Sequence, residues 1–479
     1  MQTTASLPRG TSRILWCVLL AVDALLLVTL ERADQIALAA AAILVIGILS
    51  FYRAWTLAAV MGGMPVFLTL FRPWEIENSV YLFSRLVLVG LILTSAPGSV
   101  RRLLFDPIFL GVVAVGLVLA AGLLWTPSPG YGASKTLFYL ANNALLFLAA
   151  AFSLRVDDGH PPEGHRRIRR FFASLLVFQL IVAVLGLVAR SDTEGAPSTR
   201  LGAAGLNPIW LARHTGLGIL AALALWRVGR MPVALFLPAL FLLGWIFLAA
   251  FSRGPILALS CAVLFWMLAA GGRARRWGIV LACAATVAAV AIVGGWSADG
   301  GVSSLEMTLS NRIRTKLLYV AREYVQGAGW LGFGTGGFSR LVLHLDARVY
   351  PHNLLIESVL ENGLLGLAAM LFLVGSLAVR WRDWKTHRAC GAPGAARPDV
   401  AGPAGSATVG GSERSLVLAV GAMLVYSFVN AQFSGDIAAN EWLWFWAGVL
   451  VARAPRGNAA KVATVAPPAG GALQRALPH

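Results

Sequence analysis

Charge is what this sequence has least of. Of its 479 residues, 13% are Asp, Glu, Lys or Arg and 58% are hydrophobic, whereas a soluble globular chain carries roughly 25% charged residues. Lysine is scarcer still: of 39 basic residues, only Lys135, Lys316, Lys385 and Lys461 are lysines. This balance excludes a soluble multidomain protein. Cysteine is sparse as well. Cys17, Cys261 and Cys283 lie in apolar segments, Cys390 lies in a polar one, and there is no Cys-x-x-Cys pair. Neither a zinc site nor a disulfide framework is supported. The segments assigned below to the outer face contain no Asp-x-Asp, and the Asp157-Asp158 pair falls on the opposite side. A carboxylate-held metal is therefore not expected, nor is any cofactor. The formal net charge is +17, yet no basic run is interleaved with aromatics. The excess belongs to membrane loops, and nucleic acid is not an expected partner.

What the sequence has in quantity is apolar runs of about 17–20 residues, each able to cross a ~30 Å hydrocarbon core. They fall at Ile14–Leu30, Ile36–Tyr52, Trp55–Phe71, Val80–Ala96, Pro107–Trp125, Leu137–Leu154, Phe171–Ala189, Pro208–Trp226, Val233–Ala250, Pro255–Ala270, Gly278–Trp296, Leu354–Val379, Ser415–Gln432 and Ile437–Val451. These runs predict an all-α polytopic membrane protein with about 12–14 transmembrane helices. Ile14–Leu30 is too long for a typical signal-peptide core and reads as an uncleaved first span. One transmembrane domain, 1–454, is expected to precede a disordered cytoplasmic tail, 455–479.

Loop charge gives the orientation. Arg53, Arg101 with Arg102, Arg166 to Arg170, Arg227 with Arg230, Arg273 to Arg276, and Arg380 to Arg388 occupy alternate loops. All share one face with Arg9 and Arg13 of the amino terminus, and the positive-inside rule makes that face cytoplasmic. The segment 388–413, rich in Gly, Ala and Pro, reads as a flexible cytoplasmic linker.

The one long outer segment is 297–351. Within it Leu305, Leu309, Ile313, Leu317, Val320 or Ala321, and Tyr324 recur at helical spacing, with Arg312, Lys316 and Glu323 on another face. That pattern predicts an amphipathic helix lying in the outer interface. Its cations serve either anionic headgroups or a substrate. Farther on, Gly332-Phe333-Gly334-Thr335-Gly336-Gly337 follows no strand, so it is not a dinucleotide fingerprint. Its glycines suit a tight turn or close approach to a ligand.

His352 stands between Pro351 and Asn353, where a long helix containing Glu357 and Glu361 begins. Unpaired amides and a partial positive charge collect at such a helix start. Glu357 and Glu361 share a face, and one of them can orient His352 or pair with an arginine. Arg200 lies in the outer loop 190–207, and Arg253 in the minimal turn Phe251-Ser252-Arg253-Gly254-Pro255. A guanidinium at a membrane boundary needs an anionic or carbonyl partner and suits bidentate binding of phosphate. Asp23, Arg85, Lys135 and His214 lie in or near spans and could mark a transport path, which keeps a transporter or glycolipid flippase as the rival reading; their lack of regular spacing counts against it.

Pro351-His352-Asn353-Leu354-Leu355 followed by Glu361-Asn362-Gly363-Leu364-Leu365-Gly366 resembles the signature of the O-antigen ligase and Wzy-type polymerase superfamily. Arg200-Leu201-Gly202 with Asn207-Pro208, Ser252-Arg253-Gly254, and Gly332-Phe333-Gly334 extend the resemblance in the same order. It implies a bacterial inner-membrane glycosyltransferase with a periplasmic active site, moving a glycan from undecaprenyl pyrophosphate to an acceptor. The acceptor is lipid A core for a ligase, or a growing glycan for a polymerase; the ligase reading is preferred and the polymerase is the alternative. On this resemblance His352, Arg200 and Arg253 are the expected catalytic residues, with Asn353, Gly332, Gly334, Arg312, Lys316 and Glu361 binding substrate. The imidazole would take the acceptor proton, and the arginines would meet the leaving pyrophosphate in place of a metal. In-line displacement would invert the anomeric centre.

Overall fold

The computed structural model describes residues 53–71, 77–95, 103–155, 161–188, 207–271, 316–389, 406–433 and 436–452. Every regular element among the described residues is helical. They are α1 (Arg53–Phe71), α2 (Glu77–Ser95), α3 (Pro107–Gly122), α4 (the continuous rod Pro129–Ser153), α5 (Pro161–Val188), α6 (Pro208–Arg227), α7 (Val233–Ala249), α8 (Arg253–Ala270), α9 (Phe338–Leu343), α10 (Leu354–Ala389), α11 (Ser406–Ala431) and α12 (Glu441–Ala452). The chain is a polytopic α-helical membrane protein. Six described helical stretches are long and apolar enough to span a bilayer: Pro129–Ser153, His165–Val188, Pro208–Arg227, Arg253–Ala270, Leu354–Trp384 and Arg414–Ala431. Shorter apolar helices are Ser84–Leu93, Pro107–Gly122, Val233–Ala249 and Glu441–Ala452. The runs Ile14–Leu30, Ile36–Tyr52 and Gly278–Trp296, the linker's centre and the tail lie outside the described residues.

Local chemistry starts these helices where the sequence places them. Asp106 caps α3 by accepting from the Ile108 amide at 2.9 Å, and Asn207 caps α6 by accepting from the Trp210 amide at 3.0 Å. Pro107 and Pro208 occupy the first turn, where a missing N–H costs nothing. Several boundaries differ from the apolar runs, α5 for one beginning at Pro161 rather than Phe171. The fourth rod begins at Pro129 rather than Leu137, and α11 begins at Ser406, inside the segment read as linker. Hydropathy marks where a helix is apolar, not where its hydrogen bonds begin.

The core is aromatic. Phe171 and Phe172 of α5 stack on Phe445 and Trp446 of α12, with ring centroids 5.0 and 5.9 Å apart. By contrast, Leu235, Phe241 and Trp245 of α7 are exposed, as expected of a helix that is apolar all round and meets lipid. Helix α3 packs on α10, α5 on α1 and α6, and α8 on α11.

Helix α10 is broken once. Gly363 leaves helical geometry at φ 63°, ψ −156°, a left-handed angle natural to glycine. The loop before α9 enters the break: Leu364 N–H donates to Gly329 O at 3.0 Å, and Phe333 N–H donates to Leu360 O at 2.8 Å. Gly332 lies so close that a Cβ there would stand 2.5 Å from the Asn362 nitrogen. These glycines therefore serve backbone-to-backbone packing. The described part of the expected amphipathic helix, 316–325, turns Leu317, Ala321 and Val325 onto Phe338 and Leu360.

Two sets of ties define the ends of the bundle. At one end Arg380 pairs with Asp106 at 2.8 Å, and Arg414 donates to Ala270 O at 2.9 Å. At the other, Thr126 donates to Thr335 O at 2.7 Å, and the Asp346 carboxylate accepts from the Gly130 and Tyr131 amides at 2.7 and 2.9 Å. Each tie joins segments that are distant in the sequence.

Candidate functional site

Helix α10 begins at the second of these ends, and Asn353 is its cap. The Asn353 carboxamide oxygen accepts from the Leu355 and Ile356 amides at 3.1 and 3.0 Å, and its nitrogen donates to Gln432 O at 3.4 Å. Just before the cap, His352 sits at φ 59°, in the left-handed region that non-glycine residues seldom enter. Its half-buried ring meets Tyr350 edge-on, with centroids 4.5 Å apart. Burial raises the Tyr350 phenol above its ordinary range and the Asp436 charge adds to this, so the phenol stays protonated beside the imidazole. A strained backbone angle costs roughly 1–3 kcal/mol and persists only where its surroundings enforce it. Here Tyr350, buried Pro351 and the capped helix supply the enforcement.

One turn into α10 lies a fully buried ionic cluster. Lys135 of α4 donates to Glu357 and, at 2.6 Å, to Glu361, and all three side chains have no exposure. Glu357 also accepts from the Ile437 amide at 3.2 Å. The Tyr131 hydroxyl donates to Asp436 at 2.9 Å, and Arg348 approaches the same carboxylate at 3.5 Å. Glu357 and Glu361 therefore pair with a lysine, not with an arginine as one of the sequence alternatives had it. A π-helical turn, Tyr139–Ala144, follows Lys135 and turns Asn143 toward the same loop, where it donates to Ala438 O at 2.8 Å.

The end of α11 and the turn after it, residues 430–433 and 436–440, tie α6, α8 and α10 together. Arg213, buried in α6, donates to Asn430 O at 3.1 Å and to the Asn440 side chain at 3.3 Å. At the α8 start, Gly254 lies so near Phe433 that a Cβ would stand 3.1 Å from the Phe433 Cβ. Arg253 is exposed at that start, and Asn353 bonds the adjacent Gln432. The starts of α8 and α10, with Arg253 and His352, thus meet the same short turn. Phe251, two residues before Arg253, is also left-handed at φ 46°.

Of the sequence candidates, His352, Asn353, Glu361, Gly332, Gly334 and Arg253 come to this one end of the bundle. Lys316 is exposed on the helical stretch 316–325. Arg200 and Arg312 lie outside the described residues. Sequence reasoning passed over Lys135 as a possible transport residue, and it did not consider Asp346, Arg348 or Asp436. A signal existed for Lys135: a lone lysine in a span must be paired, and Glu357 and Glu361 offered two acids on one helical face.

No protein-family profile matches the chain. It is similar to the O-antigen ligase of Pseudomonas aeruginosa strain PAO1, at 25% identity over 298 residues, covering 60% of this chain and 69% of that protein. That likeness and the multi-pass architecture support a membrane protein of glycosyltransferase type.

Proposed function

We propose that this protein transfers a glycan from a polyprenyl-pyrophosphate carrier to an acceptor hydroxyl, as an O-antigen ligase of the bacterial inner membrane, with its site on the periplasmic side. The observation that carries the reading is His352. It is a half-buried imidazole in a strained backbone at a capped helix start, within the same end of the bundle as Arg253. The likeness to a ligase supplies the reaction class.

In this reading the imidazole accepts the acceptor's hydroxyl proton while the oxygen attacks the anomeric carbon. The bond from that carbon to the carrier's phosphate oxygen breaks, the pyrophosphate leaves with the bonding electron pair, and the in-line attack inverts the centre. Arg253, joined by Arg200, meets the growing negative charge. The lipid A core is the acceptor for ligation. The buried Lys135–Glu357–Glu361 cluster holds the α10 start against α4 and so keeps His352 in place.

The test is reconstitution of the purified protein with a polyprenyl-pyrophosphate oligosaccharide, with and without lipid A core. Product that forms only with core supports ligation. Chain growth without core means a polymerase, and lipid movement without bond formation means a transporter. In the same assay Arg253→Lys keeps the charge but loses the planar fork. It is expected to lower turnover by up to about 10²-fold, and wild-type turnover would remove Arg253 from the leaving-group role.

Orientation is tested separately. Arg340→Cys and Arg382→Cys place thiols at exposed positions on opposite ends of the bundle. In a background lacking native cysteines, an impermeant thiol reagent on intact spheroplasts should label the first and spare the second. The reverse pattern would put His352 in the cytoplasm, away from its proposed substrate.

A further inference from the structure

At the end of the bundle opposite His352, helices α5 and α7 enclose an open groove of about 940 Å³. Arg166, Arg169 and Arg170 of α5 and Arg230 of the α6–α7 turn line its mouth. No carboxylate lies among the groove's described lining residues. Below the arginines the lining becomes wholly apolar, with Val177, Leu180 and Leu235 exposed or half-exposed. Pro238 stands within α7 on the facing wall.

The sequence of α5 makes this a graded surface. Arg166, Arg169 or Arg170, Ala173, Val177 and Leu180 recur at three- to four-residue spacing, so they form one stripe along one helical face. Cations occupy the outer end of the stripe and aliphatic side chains the rest. From Arg170 to Leu180 the helix rises about 15 Å at its standard pitch, the depth of one leaflet of a ~30 Å hydrocarbon core. The general excess of basic loop residues accounts for arginines at this end. It does not account for four of them converging on one concave mouth above an apolar channel a leaflet deep.

We infer that this groove binds an anionic glycerophospholipid of the adjacent leaflet, its phosphodiester headgroup on Arg166, Arg169, Arg170 and Arg230 and an acyl chain along α5 and α7. Guanidinium groups take phosphate oxygens as paired donors, and basic pockets between transmembrane helices are a recurrent setting for anionic lipid headgroups. The occupant is a bilayer lipid and not a soluble anion, because the cationic mouth and apolar floor are continuous and only a molecule with both parts fills them. This site is separate from the transfer chemistry, and its test does not depend on it.

The experiment is native mass spectrometry of the full-length protein in detergent, titrated with phosphatidylglycerol or with phosphatidylcholine of the same acyl chains. Soluble glycerol phosphate and a polyprenyl phosphate form two further arms. Phosphatidylglycerol should be retained saturably at one high-affinity site, ahead of phosphatidylcholine and of polyprenyl phosphate, and glycerol phosphate should not displace it. Arg169→Gln with Arg230→Gln should weaken retention roughly 25-fold, at about five-fold per cation near an anionic lipid surface. Ala173→Trp, which fills the channel and leaves the arginines intact, should weaken it as well. Equal retention of both phospholipids, displacement by glycerol phosphate, preference for polyprenyl phosphate, or unchanged binding in both variants would each overturn the proposal. The wild-type comparison decides even if a variant fails to insert.

Discussion

His352→Ala is expected to lower turnover by roughly 10²–10⁴-fold, the contribution of a positioned general base, with donor affinity and membrane insertion nearly unchanged. The expectation combines a chemical and a geometric argument. An imidazole titrates near neutrality and can hold a proton taken from a hydroxyl. Its backbone is forced into a left-handed angle between Tyr350 and the Asn353 cap. A merely structural histidine at that angle would be relieved by glycine, which takes φ 59° without strain. His352→Gly should therefore match or exceed wild-type thermal stability and still be inactive if the ring is the base. Purified variants compared for donor binding, unfolding temperature and turnover separate the two roles. A stable His352→Ala protein that turns over at the wild-type rate refutes the mechanism.

Lys135→Met has the larger expected effect on stability. Lys135 is the described cation bonded to both Glu357 and Glu361, and none of the three side chains is exposed. Removing one member of a buried ionic group costs roughly 3–5 kcal/mol, because the partners are left charged in a dry site. The carboxylates would have to take up protons or pull α10 away from α4. Thermal unfolding in detergent should show the loss, and combining Lys135→Met with Glu357→Gln and Glu361→Gln should recover much of it, since neutral groups of similar shape carry no stranded charge. A Lys135→Met protein as stable as wild type, or a triple variant no better than the single, would contradict this account. Activity gives a second reading. If the cluster positions the α10 start, the triple variant should be stable but slower, since His352 is two residues from that helix.

The expectations that held, and those the sequence left open, differ in physical kind. Asn353 is expected, on the resemblance, to bind substrate. In the fold its carboxamide is the helix cap and the tie to Gln432, a role that its position after His352 already permitted. Gly332 is expected, on the resemblance, to bind substrate, and Gly363 belongs to the same signature. They are the two surfaces of one backbone contact, with the loop filling the break in α10. Their glycine character is visible in a sequence, but their mutual contact is not.

What the sequence by itself determined is the solvent of this protein and its helical class. Span length, apolar composition and loop charge are sums over neighbouring residues, so a window along the chain contains all the information they need. Only the tertiary structure decided which polar side chains meet. Lys135 lies 222 residues from Glu357, and Tyr131 lies 305 residues from Asp436. Such pairs depend on the vertical register and rotation of one helix against another, which packing across the whole bundle sets and no local pattern encodes.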